Sequence, residues 1–310
     1  MFSKKSLIII GIIIATVTIT SRWHINFFDE QNNQPTPEAA ENKPAEMKVI
    51  FLDVGQGDAI LIETPSGQQI LLDGGEGQVV LEKLRQYLPI IDRTIELMIL
   101  SHPHSDHLDG LVEVLKRYTV KEVWLTGVAH TSSSYLEFLN LIKDKNILVK
   151  NIFACTTTPV AGCSEEITFE DKVKFKVLWP RENLTAKRVK DLNNTSLVLK
   201  LIYSDNSWLL TGDLDEAAEK ILIANSPEDL EADILKVAHH GSSSATSEEL
   251  LKLVSPAEAL ISVGADNDYG HPSLRIINRL KRAGVNIWRT DEKGDMVTTG
   301  DGKIIRIESP

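Results

Sequence analysis

The stretch Ser101-His102-Pro103-His104-Ser105-Asp106-His107-Leu108-Asp109-Gly110 packs three histidines and two aspartates into ten residues, directly behind an apolar run. That run, Ile95 to Leu100, has the length and composition of a buried strand, and Leu108 to Tyr118 carries the leucine and valine spacing of a helix. The cluster therefore falls on a strand-to-helix loop. His102 and His104 are two residues apart, so in extended backbone their side chains leave the same side and can meet one ion. Asp106 and His107 follow where the chain turns. A borderline-soft divalent ion such as zinc takes imidazole nitrogen and carboxylate oxygen at about 2.0 to 2.2 Å. Chance rarely places so many potential ligands between His102 and His107.

Other strand ends carry the same kind of residue. Ser207 to Leu210 reads as a strand that runs into Thr211-Gly212-Asp213, and Ala232 to Ala238 as one that runs into His239-His240-Gly241-Ser242. Gly212 would let the backbone approach an ion, and Asp213 could bridge two. Ala259 to Val263 ends in a polar loop that holds Tyr269-Gly270-His271-Pro272-Ser273, followed by helical spacing from Leu274 to Arg282. His271 thus sits at a strand-to-helix position like the other clusters. Asp73, in Leu71-Leu72-Asp73-Gly74-Gly75, ends a strand and is a candidate to hold a neighbouring loop by hydrogen bonds. The turn Asp53-Val54-Gly55-Gln56-Gly57-Asp58 fits neither dinucleotide nor P-loop glycine spacing, and reads as a tight turn in a β-meander. His24 and His130 have no partner in the pattern.

The chain has 310 residues, of which 42% are hydrophobic, enough for a real core. Its formal charge is −11, from 33 basic and 44 acidic residues. A protein that grips nucleic acid tightly and without specificity carries a basic surface, so this balance disfavours that class. Cleavage of nucleic acid through local contacts stays open.

The first 28 residues differ from the rest. Lys4 and Lys5 precede an uncharged, isoleucine-rich run from Ser6 to Ser21, and Arg22, Trp23, Phe27 and Phe28 follow. This reads as an N-terminal hydrophobic helix that anchors the chain in a membrane, with a cleaved signal segment as the alternative. The lysines would stay inside, so the remaining chain would be exported. Residues 29–46, with three prolines and hardly any large apolar side chain, read as a flexible linker. The folded domain is expected over 47–310. For an exported domain, Cys155 and Cys163 suggest a disulfide, worth on the order of 2 to 3 kcal/mol for so short a loop.

Taken together, His102-Pro103-His104-Ser105-Asp106-His107 resembles the H-x-H-x-D-H signature of the metallo-β-lactamase fold. The ordered set LDVGQGDA, LLDGG, SHPHSDHLDG, NNTSLVL, LLTGD, LKVAHHGS and YGHPS, from Leu52 to Ser273, resembles the C-terminal hydrolase domain of the ComEC competence family. The resemblance implies an α/β fold of the αββα type, two mixed sheets covered by helices, with a metal site at one edge. It implies two divalent metal ions, zinc or manganese. His102 and His104 would hold the first ion, Asp106 and His107 the second, and Asp213 would bridge. His239 or His240 would complete the second site. The β-lactamase pattern has a further histidine before the bridging position. Here Asn193-Asn194 stands in that region, and no histidine occurs between His130 and His239. That departure points away from β-lactam hydrolysis.

The expected function is metal-dependent hydrolysis of a phosphoric ester, chiefly a phosphodiester, with single-stranded DNA as a candidate substrate. Asp106 would orient the attacking water and accept its proton, and His271 would bind phosphate or assist the leaving group. Two alternatives stand beside it: another ester, such as a lactone or a phosphocholine ester, and a non-catalytic metal-containing component of a DNA-uptake or envelope complex. The expected location is the cell membrane, with the catalytic domain outside the cytoplasm.

Overall fold

Six strands open the first sheet: β1 (Met47–Phe51), β2 (Ile60–Glu63), β3 (Gln69–Leu72), β4 (Thr94–Ile99), β5 (Thr119–Leu125) and β6 (Leu148–Asn151). The first three pair antiparallel as a meander, and β3 to β6 run parallel. Each parallel step needs a crossover. Helices α1 (Val79–Tyr87), α2 (Ser105–Arg117) and α3 (Ser133–Asp144) supply them. Strands covered on both faces need apolar side chains throughout, which is why Leu97 to Leu100 and Val123 to Leu125 read as unbroken hydrophobic runs.

The second sheet repeats the plan. Strands β7 (Glu166–Thr168), β8 (Val173–Trp179), β9 (Val198–Tyr203) and β10 (Asn206–Leu210) form an antiparallel meander. Parallel strands β11 (Ile234–Lys236), β12 (Glu258–Ile261) and β13 (Asn286–Arg289) follow, joined through α4 (Glu216–Asn225), α5 (Glu248–Val254) and α6 (Leu274–Arg282). A short α7 (Thr290–Lys293) then returns the chain to the first sheet, where β14 (Met296–Gly300) and β15 (Ile305–Glu308) pair beside β1. This computed structural model describes residues 45–155, 162–169 and 171–310.

Three apolar clusters separate the layers. One packs the first sheet against its helices, through Leu84, Leu111, Leu115 and Phe138. Another fills the space between the sheets with Phe51, Trp124, Phe175 and Trp208. The third seats α4 to α6 on the second sheet through Leu222, Leu251 and Ile276. The result is the expected α/β fold with two sheets between helical layers. The indole Nε1 of Trp208 donates to Thr298 Oγ1 at 3.0 Å, tying the second sheet to β14 of the first across the core.

Some local expectations shift. Helix α2 starts at Ser105 rather than Leu108, so Asp106 and His107 lie in its first turn and not on a loop. The strand expected from Ala232 to Ala238 spans only Ile234–Lys236, and beyond it His239 and His240 take left-handed φ values of 50° and 52°. Cys155 and Cys163 are joined in a disulfide, with Cα atoms 4.9 Å apart. The expected N-terminal hydrophobic helix and nearly all of the linker lie outside the described residues. Among the described residues no helix is long and apolar enough to cross a membrane.

Replacing Trp208 by alanine removes a large buried side chain that bridges the two sheets. The expected loss is about 3 to 5 kcal/mol of unfolding free energy, read from urea denaturation. Thr298→Val, which strands the indole donor, should cost about 1 to 3 kcal/mol.

Candidate metal centre

The site lies where β3, β4, β10, β11 and β12 end, at one edge of the sandwich. Asp73, one residue beyond β3, holds the loop after β4. Its Oδ1 accepts Ser101 N at 2.8 Å and its Oδ2 accepts Ser101 Oγ at 2.6 Å. The same Oδ2 lies 2.8 Å from His107 Nδ1, which orients that imidazole so that Nε2 faces away. The loop-holding role expected of Asp73 is thus visible in its contacts.

The turn before β2 has a positional purpose. A Cβ on Gly57 would fall 1.9 Å from the carbonyl oxygen of Asp106, so only glycine lets this turn lie against the start of α2. Asp58 N then donates to that carbonyl at 3.1 Å. The aspartate side chain goes inward, with Oδ2 3.7 Å from His107 Nδ1 and Oδ1 3.5 Å from His240 Nδ1.

Four side chains converge: Asp106, His107, Asp213 and His240 each offer one ligand atom, all within 4.8 Å of one another. Asp213 Oδ2 is 3.3 Å from His107 Nε2 and 3.4 Å from His240 Nε2, and Asp106 Oδ2 is 3.3 Å from His240 Nε2. The left-handed turn at β11 therefore sends His240 inward, with its Nδ1 2.9 Å from the Ser262 carbonyl oxygen. His239 goes to the rim instead, its Nδ1 3.2 Å from Asp215 Oδ1 and its Nε2 3.9 Å from Asp213 Oδ2. His102 and His104 sit beside the cluster, not in it. Their facing nitrogens, Nε2 and Nδ1, are 3.0 Å apart, and His102 Nε2 is 3.9 Å from Asp213 Oδ2. Ser196 Oγ accepts Asp213 N at 3.0 Å and lies 3.3 Å from His102 Nδ1, linking the two halves.

Burial alone would depress His107 and His240. The carboxylates of Asp213 and Asp73 outweigh it at His107, which rises well above its ordinary value. Those of Asp213 and Asp58 push His240 up to about 10. In the opposite sense, burial would raise Asp213, yet the charges of His240 and His107 hold it well below the carboxylate range. Burial would raise Asp106 as well, but the neighbouring His240 and His107 imidazoles hold it low. Protons on the imidazoles thus compensate the carboxylates when no cation does.

The donor set fits a divalent cation. His107 Nε2, His240 Nε2 and Asp213 Oδ1 are buried and have no hydrogen-bond partner, an arrangement costly in a folded core unless something binds there. All three are acceptable ligands for a zinc-like ion. Asp58, Asp73 and His107 also come within ligand distance of one another. In that group Lys236 Nζ already holds Asp58 Oδ2 at 2.7 Å and Ser101 holds Asp73, so it supports His107 from behind.

Lys236 and Asp58 are the residues that sequence reading passed over. Lys236 is 1% exposed, and its ammonium also donates to the carbonyls of Gly212 and Val237 at 3.3 and 3.2 Å. It thereby ties the peptide before Asp213 to the strand that delivers the histidine pair. The available signal was a single charge inside an otherwise apolar strand, Ile234-Leu235-Lys236-Val237-Ala238.

A cavity of about 300 Å³ opens over the cluster, lined by His104, Asp106, Asp213, His239, His240 and His271 among others. Tyr269 stacks on His271 with ring centroids 5.7 Å apart. Burial, reinforced by the charges of His239 and His240, lowers His271 to about 4. Asn193 reaches the same wall, its Nδ2 3.4 Å from His239 Nε2.

Residues 52–166 match the metallo-beta-lactamase superfamily, and two sheets flanked by helices with a histidine–aspartate cluster at their edge agree with that match. Over most of its length the chain is similar to proteins of the ComEC family. It is 27% identical to ComE operon protein 3 of Bacillus subtilis (strain 168), over 81% of this chain and 32% of that protein. It is 29% identical to competence protein ComA of Neisseria gonorrhoeae, over 83% of this chain and 33% of that one. The chain thus spans about a third of the length of these two relatives. Among solved structures, CmlA, a diiron beta-hydroxylase from Streptomyces venezuelae, aligns with a TM-score of 0.52 at 12% identity, over 86% of this chain and 55% of that one. At that identity the likeness is one of fold.

Two measurements probe the centre. Lys236→Met leaves Asp58 buried and unpaired and should lower the unfolding free energy by about 3 to 5 kcal/mol. Asp58→Asn combined with Lys236→Met should cost less than the sum of the single changes, read by denaturant titration. Because His107 and His240 hold protons at neutral pH in the absence of a cation, binding must displace them, so zinc affinity should rise with pH. Calorimetry in buffers of different ionisation enthalpy should count about one to two protons released per ion near pH 7.

Proposed function

We propose that this domain hydrolyses phosphoric esters, phosphodiesters in particular, with two divalent ions in the centre. His102 and His104 would hold one ion, Asp106, His107 and His240 the other, and Asp213 would serve both. The observation that carries the reading is the convergence of unpartnered His107 Nε2, His240 Nε2 and Asp213 Oδ1, with Asp213 and His240 also lining an open cavity. In sequence, Asn193-Asn194 stands in the region where the β-lactamase pattern carries a further histidine. This supports phosphoester over β-lactam chemistry.

Bound ions would supply Lewis acidity and an activated water. The chain's own groups do the rest. Asp106, ionised, would orient the nucleophile and accept its proton through the carboxylate oxygen that faces away from the ion. His271 is neutral at pH 7 and offers an N–H to a phosphoryl oxygen rather than a positive charge. His239, oriented through Nδ1 by Asp215, faces the cavity and is placed to hand a proton to the leaving oxygen.

Single-stranded DNA is the substrate we favour, since ComA, one of the similar proteins, is named a competence protein. We place the domain outside the cytoplasm on one N-terminal membrane anchor. The Cys155–Cys163 disulfide supports that location, because such bonds persist in oxidising compartments.

With a chromogenic phosphodiester and with single-stranded DNA, Asp213→Ala and His104→Ala should each lose about 100-fold or more in turnover. Unchanged turnover in folded, metal-supplemented variants would sink the assignment. Faster cleavage of a phosphocholine ester or a β-lactam than of either phosphodiester would move the substrate class.

A further inference from the structure

The pole of the first sheet opposite the metal centre carries an unusual loop. Leu88-Pro89-Ile90-Ile91-Asp92-Arg93 joins α1 to β4, and Ile90 and Ile91 are 91% and 96% exposed. Two adjacent, almost fully exposed isoleucines are a cost in water unless something covers them.

The surroundings say what would cover them. Each crossover helix runs against the strands, so the C-termini of α1, α2 and α3 all reach this pole, and each carries a cation in its last turn: Arg85, Lys116 with Arg117, and Lys143. Arg85, Arg93 and Arg117 line a cavity of about 210 Å³ beside the isoleucine loop. Glu113 holds Arg117, whereas Arg85 and Arg93 form no ion pair among the described residues. Asp92, the carboxylate in the loop, is used in the turn itself, accepting Thr94 N at 2.9 Å. A cationic rim in a chain of net charge −11 is a local arrangement against the overall composition.

The topology adds where the chain arrives. Strand β1 pairs antiparallel with β2, and β2 antiparallel with β3, which is parallel to β4. Met47 at the start of β1 therefore lies at the same pole as Thr94 at the start of β4, three strand spacings or roughly 15 Å away. Residues 1–46, with their lysine-flanked apolar run, join the domain here. The metal ligands leave the other end of β4.

We propose that the Leu88–Arg93 loop, with Arg85, is a membrane-docking edge for an anionic bilayer. Ile90 and Ile91 enter the acyl boundary and the guanidiniums hold lipid phosphates, which leaves the catalytic cavity facing solvent. The proposal rests on the membrane-anchored reading above.

The test uses the full chain with an NBD label at Ile91→Cys, the native cysteines being paired in the disulfide, and the same label at exposed Asp266→Cys on the opposite pole as control. On phosphatidylglycerol/phosphatidylcholine vesicles (about 1:3), emission at position 91 should rise about threefold or more, shift to the blue and be quenched by spin-labelled lipid. On phosphatidylcholine alone the gain should be smaller, and Arg85→Glu with Arg93→Glu should abolish it. The control should not respond. If the chain sediments with vesicles after an alkaline wash while position 91 stays in water, the docking edge is wrong and the anchor stands. If the chain washes off while position 91 still responds to phosphatidylglycerol, the anchor is wrong and the edge stands. Equal response on both kinds of vesicle would overturn the role of the arginines.

Discussion

Asp213 places a buried carboxylate between the Nε2 atoms of His107 and His240, at 3.3 and 3.4 Å, and much of the surrounding structure keeps that arrangement tolerable. Isolated buried charges are expensive, so each must be compensated within a few ångströms. Asp73 and Ser101 steady His107 from one side. Asp58 lies behind both imidazoles, and Lys236 neutralises it from the core of the second sheet. The centre is thus a closed electrostatic unit assembled from both halves of the sandwich.

This unit explains why the two sheets share one edge. Each half is an antiparallel meander followed by parallel strands with helical crossovers, and in parallel units the loops at the carboxyl ends of the strands gather on one side. The first half brings Asp58, Asp73 and the His102–His107 loop, and the second brings Asp213, the histidine pair and His271. Ser196 joins them by accepting Asp213 N while facing His102. Neither half holds a complete ligand set. The cluster therefore depends on the two sheets being packed together, with Trp208 bridging to Thr298 in the core between them.

The same polarity separates two surfaces. The histidine–aspartate cluster lies at the carboxyl ends of the strands, where Asp106, His239 and His271 line the open cavity. The amino ends receive the chain at Met47 and carry the arginines and the isoleucine loop. A sandwich built from parallel units gives such a molecule two distinct ends without any further device, since strand direction alone decides which loops cluster together.

Much of this was legible in the linear chain. Apolar runs and helical spacing located most strands and the main helices, since period and hydrophobicity are local properties. The HPHSDH loop, the T-G-D turn and the histidine pair announced a metal centre because ligand-type residues are scarce and were concentrated at strand ends. What the order of residues could not decide was orientation. His239 and His240 are chemically identical neighbours, and only the left-handed turn they form beyond β11 sends His240 inward and His239 to the rim. Lys236 reads as one more charge until the fold brings Asp58 to 2.7 Å from it. The sequence by itself determined which residue types would be available for binding and catalysis and which segments would form strands. Tertiary structure alone decided which atoms meet, because those distances are set by packing between segments that are far apart in the chain.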